Sequence, residues 1–217
     1  MFSSPLASVM SGASRAQLAY WRKHLEPFGP LLVPEGRHGR SLLYSVADVL
    51  ALRSIVYLRE EKSLPKIRRA AAFLRAIEND DWTHLADYTL VRTHETIFLL
   101  REDGSAVDLE ASPGQEALGR PEGFDRDRVR MGTVLAMFES ASGRVVPDFL
   151  RPRPGISVDR NVLGGFPAIT GTRIPYDAVA SLVGDRATFA IVSALYPTVP
   201  ETSLASAADF AGLVAAA

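Results

Sequence analysis

The chain has 217 residues, 47% of them hydrophobic and 23% charged, a composition that fills real cores and excludes wholesale disorder. It has no cysteine, which excludes disulfides, iron–sulfur clusters and thiolate metal sites and is compatible with a reducing compartment. Net charge is only −1 but unevenly spread: residues 1–75 hold 12 Lys/Arg against 5 Asp/Glu, residues 76–150 hold 7 against 15, and the remainder 5 against 5, so only the basic head is expected to meet a polyanion.

The opening MFSSPLASVMSG lacks a basic leader and a long apolar core, and no run approaches the ~20 residues of a membrane span. A cytoplasmic location with no membrane partner is expected. Residues 11–14 form a turn between two apolar-periodic segments, and Ser14 is placed to cap the second, RAQLAYWRKH. On that second helix Leu18 and Trp21 can pack inward while Arg15, Gln17, Tyr20, Arg22 and Lys23 occupy other faces. In LLVPEGRHGRSLLYS, turns at residues 34–36 and at Gly39 separate two short apolar strands and leave Arg37, His38 and Arg40 at a hairpin tip. Ser45 and Asp48 make a capping box that opens a helix burying Val49, Leu52 and Val56. Ser63 and Pro65 start another, with Ile67, Ala71, Leu74 and Ile77 on its inner side.

This order, with LAYW in the second helix, LLYSVADVLALRSIVYLRE after the hairpin and SLPKIRRAAAFL at the end, resembles the winged helix–turn–helix of MerR-type transcription regulators. The resemblance implies a DNA-binding head over residues 1–80, with Arg15, Gln17, Tyr20, Arg22, Lys23, Arg37, His38 and Arg40 as its DNA-binding residues. Ala19 and Leu42 depart from the family, which usually carries arginines there, so two usual phosphate contacts lack a counterpart. The plainer alternative is a small helical domain whose charges are simply solvated.

The acidic middle, residues 81–153, contains β-type runs in YTLVRTHETIFLLREDGSAVDLEA, with a hairpin signal at residues 102–104, so two or three strands are expected. VRMGTVLAMFES is ambiguous between helix and strand. Asp80, Asp81, Asp125, Asp127, His84 and His94 have no metal-ligand spacing, and no phosphate loop, nucleophile elbow or carboxylate pair emerges. No catalytic residue, metal or cofactor is therefore expected, and the chain does not read as an enzyme.

The tail, residues 154–217, is the most specific part. Short β runs at 156–158 and 168–170 flank the Gly164 and Gly165 turn, Pro175 suits the start of a helix, and that helix ends at Gly184. Asp185 can cap the next helix, which stops before Tyr196 and Pro197, and Thr198 with Glu201 forms a capping box for a last one carrying Leu204, Ala207, Phe210 and Val214. PGISVDRNVLGGFPAITGTRIP, the helix pair split at Gly184 and Asp185, and the capped last helix together resemble a small domain of unknown function found in VapB-type antitoxins. The resemblance implies a compact module for protein contacts, often with dimerisation.

The fold class expected is α+β: a winged helix–turn–helix, a central β-containing region, and a hairpin with three helices. Two functions fit. In one, a VapB-type antitoxin neutralises a cognate VapC-like, PIN-type ribonuclease toxin and represses its own operon by binding double-stranded operator DNA as a homodimer. In the other, a ligand-responsive MerR-like regulator has no toxin partner, and Trp82, Tyr88 and Phe98 line a small-molecule pocket or a core. For the toxin, Arg151 and Arg153 lie in the extended RPRPG, while Arg173 either pairs internally with Asp159 or Asp177 or reaches a partner's acidic pocket.

Overall fold

Ser3 closes a two-residue strand, β1 (Phe2–Ser3), and its hydroxyl caps α1 (Ser4–Ser11), which Gly12 ends in the left-handed conformation at φ 80°. Ser14 and Gln17 form a reciprocal capping box that opens α2 (Arg15–Trp21), burying Leu18 and Trp21 as their spacing predicts. The computed structural model describes residues 1–78, 89–93, 95–101, 104–117, 133–184 and 189–217. Next come β2 (Gly36–His38) and β3 (Ser41–Tyr44), antiparallel and joined by a tight turn at Gly39 and Arg40. The expected first strand, LLV, is absent: Leu31 and Leu32 are buried as loop residues, and the hairpin is shorter and later than the apolar run suggests. β1 supplies a third strand, giving the order β1-β3-β2 with Phe2 opposite Tyr44.

The second capping box forms as expected. Ser45 and Asp48 exchange hydrogen bonds at the start of α3 (Val46–Leu58), and Val49, Leu52 and Val56 are buried. α4 (Leu64–Glu78) buries Ile67, Ala71 and Leu74, but Ile77 in its last turn is exposed. In the middle, β4 (Thr89–Arg92), β5 (Ile97–Leu100) and β6 (Ala106–Asp108) make an antiparallel sheet in sequence order. The ambiguous segment resolves into a 3-10 turn at Thr133–Leu135 and β7 (Phe138–Glu139), which pairs with β8 (Val145–Val146). Asp80, Asp81, Trp82, His84, Tyr88, His94, Asp125, Asp127 and Asp185, and residues 102–103 of the expected hairpin turn, lie outside the described residues.

In the tail, β9 (Ile156–Ser157) pairs antiparallel with β10 (Ala168–Ile169) across a 3-10 turn at Leu163–Gly165. α5 (Tyr176–Gly184), α6 (Phe189–Leu195) and α7 (Thr202–Ala215) follow. Pro175 sits just before α5 and bridges to Ala168 instead of opening the helix. The Thr198 and Glu201 capping box does not form: the backbone turns at Tyr196–Val199, the helix begins at Thr202, and Glu201 makes no side-chain cap. The chain is thus mixed α+β, with seven α-helices and four small sheets among the described residues. None of these helices is long and apolar enough to cross a membrane.

The main core draws on all three segments of the chain. One buried cluster takes Phe2, Leu6 and Met10 from the head, Leu99, Leu109 and Phe149 from the middle, and Ile156, Tyr176 and Phe210 from the tail. Rings connect these parts: Phe2 lies 6.5 Å from both Phe149 and Phe166, Phe166 stacks on Tyr176 at 5.8 Å, and Tyr176 meets Phe210 edge-on at 4.8 Å. A second, smaller cluster of Ile169, Val179, Val192, Val199 and Ala207 belongs to the tail alone.

Arg53 fastens the middle segment to the head. Its side chain on α3 is wholly buried, and the guanidinium donates to five backbone carbonyls: Met10 (2.6 Å) in α1, Val134 (2.6 Å) and Leu135 (3.3 Å) in the 3-10 turn, Ala136 (2.7 Å) just after it, and Pro147 (2.9 Å) after β8. Phe138 and Phe149 lie 5.2 and 5.8 Å from it. Burial pushes the Arg53 guanidinium down to about 10, a shift that leaves it charged at neutral pH.

Arg53→Met keeps most of the side-chain volume and leaves those buried carbonyls without a donor, so it is expected to lower unfolding free energy by about 3–5 kcal/mol in urea titration. Burial likewise pushes the Tyr176 phenol up to about 12, aided by the nearby Asp177. The folded state therefore holds this proton longer than the unfolded chain, and its contribution is complete below pH 10 and disappears as pH climbs through about 12. Wild type is expected to lose roughly 2–3 kcal/mol more than Tyr176→Phe across that window, measured as the difference between their urea unfolding curves.

Candidate nucleic-acid interface

Exposed cations of the head lie on α2 and on the β2–β3 hairpin, and also at Arg59 after α3 and at Lys66 and Arg69 on α4. Arg15, Gln17, Tyr20 and Lys23 are exposed on or just after α2, and Arg37, His38 and Arg40 are exposed on the hairpin. Arg37 and His38 lie within β2, with only Arg40 in the turn itself. Gln17 uses its side chain in the capping box. Lys23 lies 5.9 Å above the Tyr20 ring, and Arg68 of α4 lies 5.5 Å from the same ring.

Helix and hairpin are held to one another by a specific contact. Arg22, half-buried, donates to the Tyr44 hydroxyl (3.1 Å) at the end of β3. One turn later, a single Asp48 carboxylate oxygen accepts from the Ser45 amide (2.8 Å) and from the Glu35 amide (3.1 Å) that leads into β2. Burial raises the Asp48 carboxyl above its ordinary range, partly countered by these amides. Residues 44–48 thus fix both ends of the hairpin and, through Arg22, the end of α2.

Other head cations serve the fold. Arg68 donates to the Gly29 carbonyl (2.9 Å) and is nearly buried, which lowers its pKa by desolvation. Arg75 donates to the carbonyls of Phe28 and Pro30. Lys62, buried, and Lys66 flank the buried Glu110 at 3.5 and 2.9 Å, so the acidic middle docks on the head through an ion-pair network. Sequence counting credits all of these to the surface; what identifies them is long-range contact, for which local spacing carries no signal.

In the tail, Arg151 is exposed, with its backbone amide held by Asp148 (2.7 Å). Arg153 is already engaged, donating to Asp209 of α7 at 2.7 Å. Arg173 is exposed and pairs with neither Asp159 nor Asp177, so the expected internal ion pair does not form. Phe98, proposed for a ligand pocket, packs in a small core with Val91 and Ala106. A cleft of about 240 Å³ opens instead beside α2, between Gln17, Trp21 and Arg59 on one side and Ser140 and Ser142 of the β7–β8 turn on the other. Among the described residues no group of three or more acidic or histidine side chains is arranged to hold a metal ion.

Residues 156–211 match a family described as a protein of unknown function, DUF433. No curated protein and no solved structure matches the chain. The tail from β9 into α7 therefore carries a domain of unknown function.

Proposed function

We propose that the protein is a cytoplasmic, DNA-binding antitoxin of VapB type. Its MerR-like head binds duplex operator DNA as a homodimer, and its tail docks a PIN-type ribonuclease. The DNA half of this reading rests on the Arg22–Tyr44 contact, which couples α2 to the hairpin while leaving Arg15, Lys23, Arg37 and Arg40 exposed. A helix laid against base edges, with cations on a hairpin beside it, is how a winged helix–turn–helix positions itself on phosphates. The toxin half rests on Arg173, an exposed guanidinium beside the Gly171 turn that pairs with neither neighbouring aspartate. A nuclease that holds Mg²⁺ between carboxylates offers a matching pocket, where an inserted arginine displaces the metal and blocks hydrolysis.

A ligand-responsive regulator without a toxin is the second reading, and the cleft between Gln17, Trp21, Arg59 and Ser140 favours it. Trp21 and Val56 beside a single arginine and two serine hydroxyls suit a small organic anion next to the helix that would read DNA.

Replacing Arg37, Arg40 or Lys23 by alanine is expected to lower the slope of log affinity against log salt for duplex DNA by about 1 each, measured by fluorescence anisotropy. Unchanged slopes across all three would remove the head from the DNA. For the tail, co-expression with the product of the neighbouring reading frame is expected to give a complex on size exclusion, and Arg173→Glu is expected to weaken it about 100-fold. Absence of any complex with the wild-type chain discards the antitoxin reading in favour of the regulator.

A further inference from the structure

The tail approaches the head at one point where a side chain is excluded. Gly165, in the turn between β9 and β10, has φ 82°, and a Cβ added there would overlap the Val46 Cγ2 methyl. Val46 is the first residue of α3, directly after Tyr44 and Ser45, and so belongs to the residues that anchor β3, the entry to β2 and the end of α2. The next tail residue, Phe166, contacts Phe2 of β1, the strand that pairs with β3 at Tyr44. Two consecutive tail residues therefore bear on the hairpin from both sides, one through the α3 start and one through the outer strand.

We propose that the Gly165 turn and Phe166 are positioning residues for the hairpin and α2: the domain of unknown function serves, in this chain, as the wall that sets the geometry of the surface that reads DNA. The inference rests on the DNA-binding reading for its consequence, but the positioning itself does not. Neither residue touches the exposed cations. Their effect passes through Val46 and Phe2, whose contacts leave little room for the hairpin to pivot. Gly165 is required twice, because its φ disfavours any residue with a Cβ and because the approach to Val46 leaves no space for one.

The test uses the full chain and hydrogen exchange read by mass spectrometry. Gly165→Ala is expected to speed exchange of amides in residues 41–46 about tenfold while leaving β4–β6 unchanged, and adding Val46→Ala, which removes the overlapping methyl but not the backbone strain at φ 82°, is expected to reverse part of that change. Faster exchange everywhere, no change at residues 41–46, or no reversal by Val46→Ala would overturn the proposal. If Gly165→Ala does not fold, Phe166→Leu takes its place, with the same selectivity for residues 41–46 expected and uniform or absent change counting against it. A second measurement addresses DNA. With a generic 30-base-pair duplex at low salt, Arg37→Ala is expected to weaken binding about tenfold in the wild-type background and less than threefold in the Gly165→Ala background, whereas equal losses in both overturn the positioning role. A wild-type chain that binds no duplex at all defeats the DNA-binding reading, and the exchange measurement then decides the positioning claim by itself.

Discussion

A buried guanidinium needs several acceptors held in one plane, and Arg53 finds them on backbone from three separate places in the chain. Asp148 favours the charge from a distance, but the hydrogen bonds all go to main-chain carbonyls, so the contact depends on the backbone of residues 134–136 and 147 arriving where α1 already presents the Met10 carbonyl. Once that is met, β7 and β8 are placed, and Val146 comes to rest on Gly12 at the α1–α2 turn, where any Cβ would overlap it. The segment after β8 then delivers Phe149 to Phe2 and leads into β9. The order in which the tail meets the head follows from this one side chain.

The same economy governs charge. The basic excess of residues 1–75 looks from the sequence like a surface for a polyanion, but Arg53 and Arg68 are spent on carbonyls, and Lys62 is buried against Glu110 of the acidic middle. Lys62 and Lys66 with Glu110 therefore join part of the head's positive charge to part of the middle's negative charge inside the fold. What remains exposed on the head is a smaller set, on α2 and the hairpin together with Arg59, Lys66 and Arg69. This narrows the DNA-binding reading to a few cations and makes each of them carry a larger share of the electrostatic attraction.

Local chemistry was legible in the residues; long-range chemistry was not. The boxes at Ser14 with Gln17 and at Ser45 with Asp48 formed because a hydroxyl and an acceptor three residues apart satisfy each other's amides without help from the rest of the molecule. Thr198 with Glu201 has the same spacing and failed, since the chain there folds into the Tyr196–Val199 turn and buries Val199 in the tail core instead. β1 is two residues long, too short for any periodicity, and exists because β3 offers it an edge. Arg53 sits among apolar neighbours in ALRSIVYL and reads as the polar face of an amphipathic helix, whereas the helix is covered on that face as well. Of the candidate site, the residue types on α2 and the hairpin were legible, but the engagement of Arg22 with Tyr44 and of Arg153 with Asp209 required knowing which elements meet.

The fusion of tail and head has a physical reason in size. A segment of the length matched by the domain of unknown function, residues 156–211, lies where a single small core is marginal, burying only about 60% of its unfolded surface. Its private cluster is small, built around Ile169, Val179, Val192 and Ala207. α7 resolves the shortage by facing two ways: Ala207 turns to the private cluster, Phe210 enters the large shared one, and Ala211 touches both. Ile156 and Tyr176 do the same for the hairpin and α5. A module built this way gains its stability from whatever it is docked on, so its contact with the head is part of its own folding, and any change in how the tail packs is felt at the α3 start, where Gly165 meets Val46.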